Sequence, residues 1–207
     1  MDVEIIQAIY QHKCVGIKTL TKQLDCSGQQ IKDRLDGINS KLNEFAMEIK
    51  LVDEMLVMVN SSGDETLFST LSNNELVYLR SILTEIINND YFYGGIDALN
   101  IANPMNKTQM VQLLNRLIKT HWLTEIGNGY GIGIRSLLEL SSLLHSISDH
   151  QLYVSHYNSV IVTKGYACPH CRTAMTVKQS ENFAQMSKNC PNSKCKKLWK
   201  PIQIGQF

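Results

Sequence analysis

Apolar positions recur at helical spacing through the first forty residues. Ile5, Ile6 and Ile9 share one face, and Ile17, Leu20 and Leu24 form a second stripe at offsets of three and seven. Ser27 and Gln30 have the spacing of a capping box, in which the hydroxyl accepts from the third amide and the glutamine reaches back. The helix they open carries Ile31, Leu35, Ile38 and Leu42 on one side. The period then changes. Residues 48–52 and 55–59 are β-prone and are joined by a turn at Asp53-Glu54. The pattern predicts three helices followed by a hairpin.

The same order returns after a polar connection over residues 60–71. Ser72 and Glu75 form another capping box, followed by Leu76, Leu79, Leu83 and Ile86. Residues 91–103 hold Gly94-Gly95 and a short helix that Pro104 stops. Asn106 and Gln109 open a helix with Met110, Leu113, Leu114 and Leu117 inward. Residues 122–126 and 130–134 flank Gly127-Asn128-Gly129 and predict a second hairpin. A last helix starts at Ser136 to Glu139, with Leu137, Leu140, Leu144 and Ile147 in a stripe. Three helices then a hairpin is the order of a winged helix, a helix-turn-helix variant. The expected organisation is a winged helix over 1–62, a second over 70–148 with a trailing helix, and a separate module over 160–207. A polar joint at 148–156 and a short strand at 160–162 lead into that module.

Cysteine usage sets the end module apart. Of six cysteines, Cys14 and Cys26 are isolated, whereas Cys168, Cys171, Cys190 and Cys195 fall within 28 residues. The N-terminus has neither the basic start nor the apolar core of a secretory signal, so a reducing compartment is expected and metal ligation precedes disulfides as the reading. Cys168-Pro-His-Cys171 and Cys190-Pro-Asn-Ser-Lys-Cys195 have the pair spacing of a zinc ribbon. Each tight turn supplies two thiolates to a tetrahedral ion, and four cysteines close its coordination, so one structural zinc is expected. The stretch between the pairs is polar and reads as unable to build a core, leaving zinc to supply the folding energy. His170, beside Cys171, would strain the loop as a ligand. His145, His150 and His156 read as exposed histidines, Cys14 and Cys26 as small buried hydrophobes, and Trp122 and Trp199 as packing anchors.

Charge divides the chain at the same place. Residues 1–163 hold twelve basic and eighteen acidic residues, a net of −6, while residues 164–207 hold eight basic residues and one acid, a net of +7. The third helix of the first unit mixes Lys32, Asp33, Arg34, Asp36, Lys41 and Glu44, and its counterpart carries Lys107, Arg116 and Lys119 among apolar residues. Those helices lack the clustered cations and amides of a base-reading surface, and an acidic body attracts phosphate poorly. They read as protein-binding winged helices, and the basic ribbon is the better candidate for nucleic-acid contact. No phosphate-binding loop, dinucleotide fingerprint, metalloprotease helix or nucleophile elbow is present, so no catalytic residue is assigned. Gly129, Gly131 and Gly133 read as wing geometry. No run of 18 apolar residues predicts a membrane span.

Three stretches carry a family resemblance: Ser72-Asn-Asn-Glu-Leu-Val-Tyr78, Lys107 through Trp122-Leu123, and Tyr130-Gly-Ile-Gly-Ile-Arg-Ser-Leu-Leu-Glu-Leu140, followed by the cysteine module. The chain resembles non-SMC element 1, a subunit of the structural-maintenance-of-chromosomes 5/6 complex. The resemblance implies a mainly α protein with small β hairpins: tandem winged-helix domains followed by a zinc-ribbon or degenerate RING-like module. It implies a nuclear, chromosome-associated protein that pairs with a MAGE-type subunit (non-SMC element 3) and a kleisin-type subunit (non-SMC element 4). DNA repair by recombination and chromosome maintenance follow as its expected work. Family members are regarded as RING-type ubiquitin ligases, which position a ubiquitin-conjugating enzyme and supply no nucleophile. The family's module uses eight ligands for two crossed ions. Here Cys168 and Cys171 match the first pair, and Cys190 and Cys195 with Trp199 match the last. Residues 172–189 contain no Cys and no His. The two remaining pairs must therefore meet on one ion. A winged-helix and zinc-ribbon subunit of transcription initiation is the alternative assignment.

Overall fold

The computed structural model describes residues 1–52, 54–61, 70–148, 152–155 and 161–206. It consists of helices with three small sheets, in agreement with a mainly α chain carrying small β elements. The turn residue Asp53, most of the connection at 60–71, residues 149–151 and 156 of the joint, and Val160 of the expected strand lie outside the described residues.

The N-terminal segment contains α1 (Asp2–His12), β1 (Cys14–Gly16), α2 (Ile17–Leu24), α3 (Gly28–Leu42), β2 (Met47–Val52) and β3 (Met55–Asn60). The Ser27–Gln30 capping box is formed in full and starts α3. The expected stripes turn inward: Ile5, Ile9, Ile17, Leu20, Ile31, Leu35 and Ile38 are buried with Ile49, Leu56 and Met58 of the hairpin. β1 was not expected. Three residues give no period to read, yet Cys14, Val15 and Gly16 pair antiparallel with Val57, Leu56 and Met55 and make the hairpin a sheet ordered β1–β3–β2.

The middle segment repeats this order. It contains α4 (Asn73–Asn88), β4 (Tyr93–Gly94), α5 (Gly95–Ala98), α6 (Lys107–Lys119), β5 (Leu123–Ile126) and β6 (Gly129–Ile132). Capping boxes at Ser72–Glu75 and Asn106–Gln109 start α4 and α6. β4 is again a strand too short to announce itself, and it pairs with β6 to give the order β4–β6–β5. The hairpin turn is tighter than the three residues expected. Ile126 pairs with Gly129, and Gly127 sits at φ +55°, a left-handed position that favours glycine.

The trailing helix differs from its expectation. α7 (Ile134–Glu139) begins two residues early and α8 (Ser141–Ser148) follows after a break at Leu140. Ser136 does not cap anything: it is buried inside α7 and its hydroxyl donates to the Trp122 carbonyl at 2.6 Å. Glu139 is held instead by Arg135.

The cysteine-bearing segment contains β8 (Gly165–Ala167), β9 (Thr173–Met175), α9 (Val177–Met186) and β10 (Ile202–Ile204). Two features here were not announced by the sequence pattern. The stretch between the cysteine pairs forms α9, started by a capping box at Thr176 and Gln179. The segment also has a small core of its own, built from Val162, Ala167, Ala174 and Ile204. Its sheet, ordered β10–β8–β9–β7, is completed by β7 (Val154–Ser155), which pairs parallel with β9. β7 comes from the joint that reads as polar linker. The residues around it belong to the middle segment: Leu152 is buried in that core, with Tyr153 and Val154 packed against it.

Candidate metal centre

Two tight turns bring the four cysteines together. The first lies in the β8–β9 hairpin, closed by the Ala167–Ala174 pair. The Cys168 amide donates to the Thr173 carbonyl and the Arg172 amide to the Cys168 carbonyl, each at 2.9 Å. The second turn is closed by Cys190 donating to the Lys197 carbonyl at 2.7 Å and Trp199 donating to the Lys188 carbonyl at 2.8 Å. Inside it, Cys195 donates to the Asn192 carbonyl at 2.9 Å. Asn192 then ties the turns to each other, its side-chain amide donating to the Thr173 hydroxyl at 3.3 Å.

The sulfurs of Cys168, Cys171, Cys190 and Cys195 all lie within 4.8 Å of one another. Cys168 and Cys195 are 3.8 Å apart, and Cys171 and Cys190 3.6 Å apart. A tetrahedral zinc with ligands at about 2.3 Å requires sulfur–sulfur edges of about 3.8 Å, so the cluster has the size of one ion's first coordination shell. Each close contact joins one residue from the first turn to one from the second, so the two pairs converge on a single point. This donor set can hold a metal ion, and soft thiolates suit zinc. Exposed His170 is outside the cluster. Of the histidine series at 145, 150 and 156, His145 lies on α8, while His150 and His156 lie outside the described residues.

The protein prepares these thiols unequally. Burial opposes ionisation of Cys171, but hydrogen bonds from Thr173 and the neighbouring sulfurs outweigh it and bring its pKa down to about 7. Burial and the adjacent sulfurs push Cys190 and Cys195 up. A divalent cation at the centre reverses that opposition, because its charge favours every thiolate.

Trp199 packs as an anchor, edge-on to Phe183 with ring centroids 5.9 Å apart. Trp122 does the same beneath the middle segment, where the Arg135 guanidinium lies 4.1 Å above its ring. Arg135 also donates to the Thr120 carbonyl at 3.2 Å and grips Glu139 through two nitrogens at 2.7 and 3.3 Å. That pair is nearly dry, with side-chain exposures of 14% and 4%. The run from Gly133 to Leu140 thus owes its character to a buried brace. Cys14 is buried at a seam between segments, where burial raises its pKa, and Cys26 is half-buried against the first core.

No protein-family model matches the chain. Among curated proteins, the human "Non-structural maintenance of chromosomes element 1 homolog" is 22% identical over 186 residues, covering 82% of this chain and 69% of its own length. The mouse protein of the same name is 22% identical over 205 residues, covering 91% of this chain and 75% of its own. The protein that this chain resembles is non-SMC element 1. Among solved structures, a chain of one described as the Nse1-Nse3-Nse4 complex superposes with a TM-score of 0.70, covering 96% of each chain at 18% identity. The likeness to non-SMC element 1 in sequence therefore runs through most of the chain, and the likeness in fold runs through nearly all of it.

Proposed function

We propose that the chain is an assembly subunit of the SMC 5/6 complex, bound to a MAGE-type subunit (non-SMC element 3) and a kleisin-type subunit (non-SMC element 4). The observation that carries the reading is the end-to-end fold likeness to a chain of the Nse1-Nse3-Nse4 complex. In this reading residues 1–62 and 70–148 are winged helices, which the recurring order of helices, short first strand and hairpin supports. Residues 160–207 form a ribbon-like module on one structural zinc, ligated by Cys168, Cys171, Cys190 and Cys195. Convergence of all four sulfurs supports one ion. Four thiolates leave no coordination position for water, so the zinc is architectural. The complex works in the nucleus, in DNA repair by recombination and in chromosome maintenance. A module folded on one ion favours the assembly role over placement of a ubiquitin-conjugating enzyme.

Co-expression with the MAGE-type and kleisin-type subunits tests this. A ternary complex that survives size exclusion at high salt, with one zinc per copy of this chain, is expected, because apolar docking is weakly screened. Failure to copurify with either subunit would overturn the assignment.

A further inference from the structure

We infer that the second cysteine turn is a docking surface for the phosphate backbone of duplex DNA. Lys188, Lys194, Lys196, Lys197 and Lys200 are all exposed. They are not merely near in sequence. The backbone bonds that close the turn lay residues 188–190 antiparallel to 197–199, with Asn189 bridged to Leu198. Neighbouring strands lie about 4.8 Å apart, so Lys188 stands beside the run that carries the other cations.

Among the described residues no carboxylate pairs with them, and the two negative charges that four thiolates would leave on one zinc are fewer than the five cations. None of the five ammonium groups forms an ion pair, and the only acidic side chain in residues 164–207 is Glu181 on α9. By contrast, Arg172 of the same module is engaged: its guanidinium lies 4.1 Å above the Tyr153 ring and serves to join the segments. Five exposed cations around one hydrogen-bonded turn are a counter-surface for a dense line of negative charge, which duplex DNA supplies at about one charge per 1.7 Å.

The partner form follows from what the turn lacks. Binding an unpaired strand relies on aromatic faces that stack bases. Trp199, the one ring in the turn, is half-buried with Phe183 against it. Backbone phosphates remain as the recognisable group: residues 188–200 hold no Arg or Gln, the Asn192 amide is spent on Thr173, and Asn189 is the one exposed amide among the lysines, too little to read a base sequence. The acidic remainder, at −6 over residues 1–163, confines the contact to this end.

The test is anisotropy of a labelled duplex with the zinc-loaded full chain across a salt series. A log–log slope of about −4.5 is expected, since each of five phosphate contacts contributes about −0.9. The variant Lys194→Gln/Lys196→Gln/Lys197→Gln/Lys200→Gln should flatten that slope by about 3.6 units and weaken low-salt binding at least tenfold, with zinc content and melting unchanged. Lys18→Gln/Lys22→Gln, which removes exposed cations of α2, should leave the slope as it was. An unaltered slope in the fourfold variant would overturn the inference, as would tighter binding of the matching single strand. Preferential capture of polyglutamate would also overturn it, in favour of an acidic protein partner.

Discussion

At the scale of single residues, the middle segment is held at its lower edge by one charged pair. Arg135 faces the Trp122 ring, the Thr120 carbonyl and Glu139 at once. An exposed ion pair contributes little, because water competes for both charges and the side chains lose entropy. Here both partners are largely dry, and removal of one leaves the other without compensation. Glu139→Ala should therefore destabilise the chain by about 3 kcal/mol in urea unfolding, whereas the double variant Glu139→Ala/Arg135→Met should cost clearly less. Equal losses in the single and double variants would show that packing, not charge compensation, sets the value. The motif was visible in the sequence as Gly-Ile-Arg with a Glu four residues on. Its meaning was not, because Ser136 reads as a helix cap until its hydroxyl is seen on the Trp122 carbonyl.

At the scale of elements, legibility followed the physics of the signal. α3, α4 and α6 were readable because a capping box precedes a four-residue apolar stripe in each. α9 carries the same box at Thr176, but Ser180 is its one buried residue, so no stripe confirmed it. β1, β4 and β7 are two or three residues long and are fixed by partners distant in sequence. Cysteine spacing revealed the cysteine cluster, since a tetrahedral site built from two turns demands two ligands per turn. What spacing could not reveal is how the cluster is attached. β7 sits in the module's sheet while Leu152 beside it is buried in the middle core. The Tyr153 amide donates to the Tyr91 hydroxyl at 3.0 Å, and Gly205, at φ +71°, donates to the Asp90 carboxylate at 3.1 Å. Zinc removal should therefore do more than melt its own turns. Chelation, or Cys190→Ser, should abolish amide protection over residues 165–204 and also lower it at residues 152–155, with a fall in the melting temperature of the middle core. Unchanged protection at Leu152 to Ser155 would mean the module hangs free of that core.

At the scale of the whole molecule, the N-terminal and middle segments share an apolar seam. Cys14, Val57 and Val59 pack with Met55 against Ile134 and Leu138 of α7. Beside this apolar contact the seam is crowded with positive charge. Burial lowers the pKa of Lys13, and Arg135 adds to that effect. Burial, followed by Arg135, likewise lowers the pKa of His121, against a hydrogen bond to the His12 backbone that favours its charged form. The sign of the consequence follows from linkage. A histidine whose folded pKa lies below its unfolded value of about 6.5 takes up protons more readily when unfolded. Stability contributed by neutral His121 is therefore present above that value and is lost as pH falls through it towards the folded pKa. The melting temperature should drop between roughly pH 7 and pH 5, and His121→Gln should make that part of the profile flatter. A profile of the same slope in His121→Gln would remove this histidine from the seam's energetics. Any acid sensitivity of the seam would then come from other groups, and its apolar part, the packing of Ile134 and Leu138 on Val57 and Val59, would be untouched by pH.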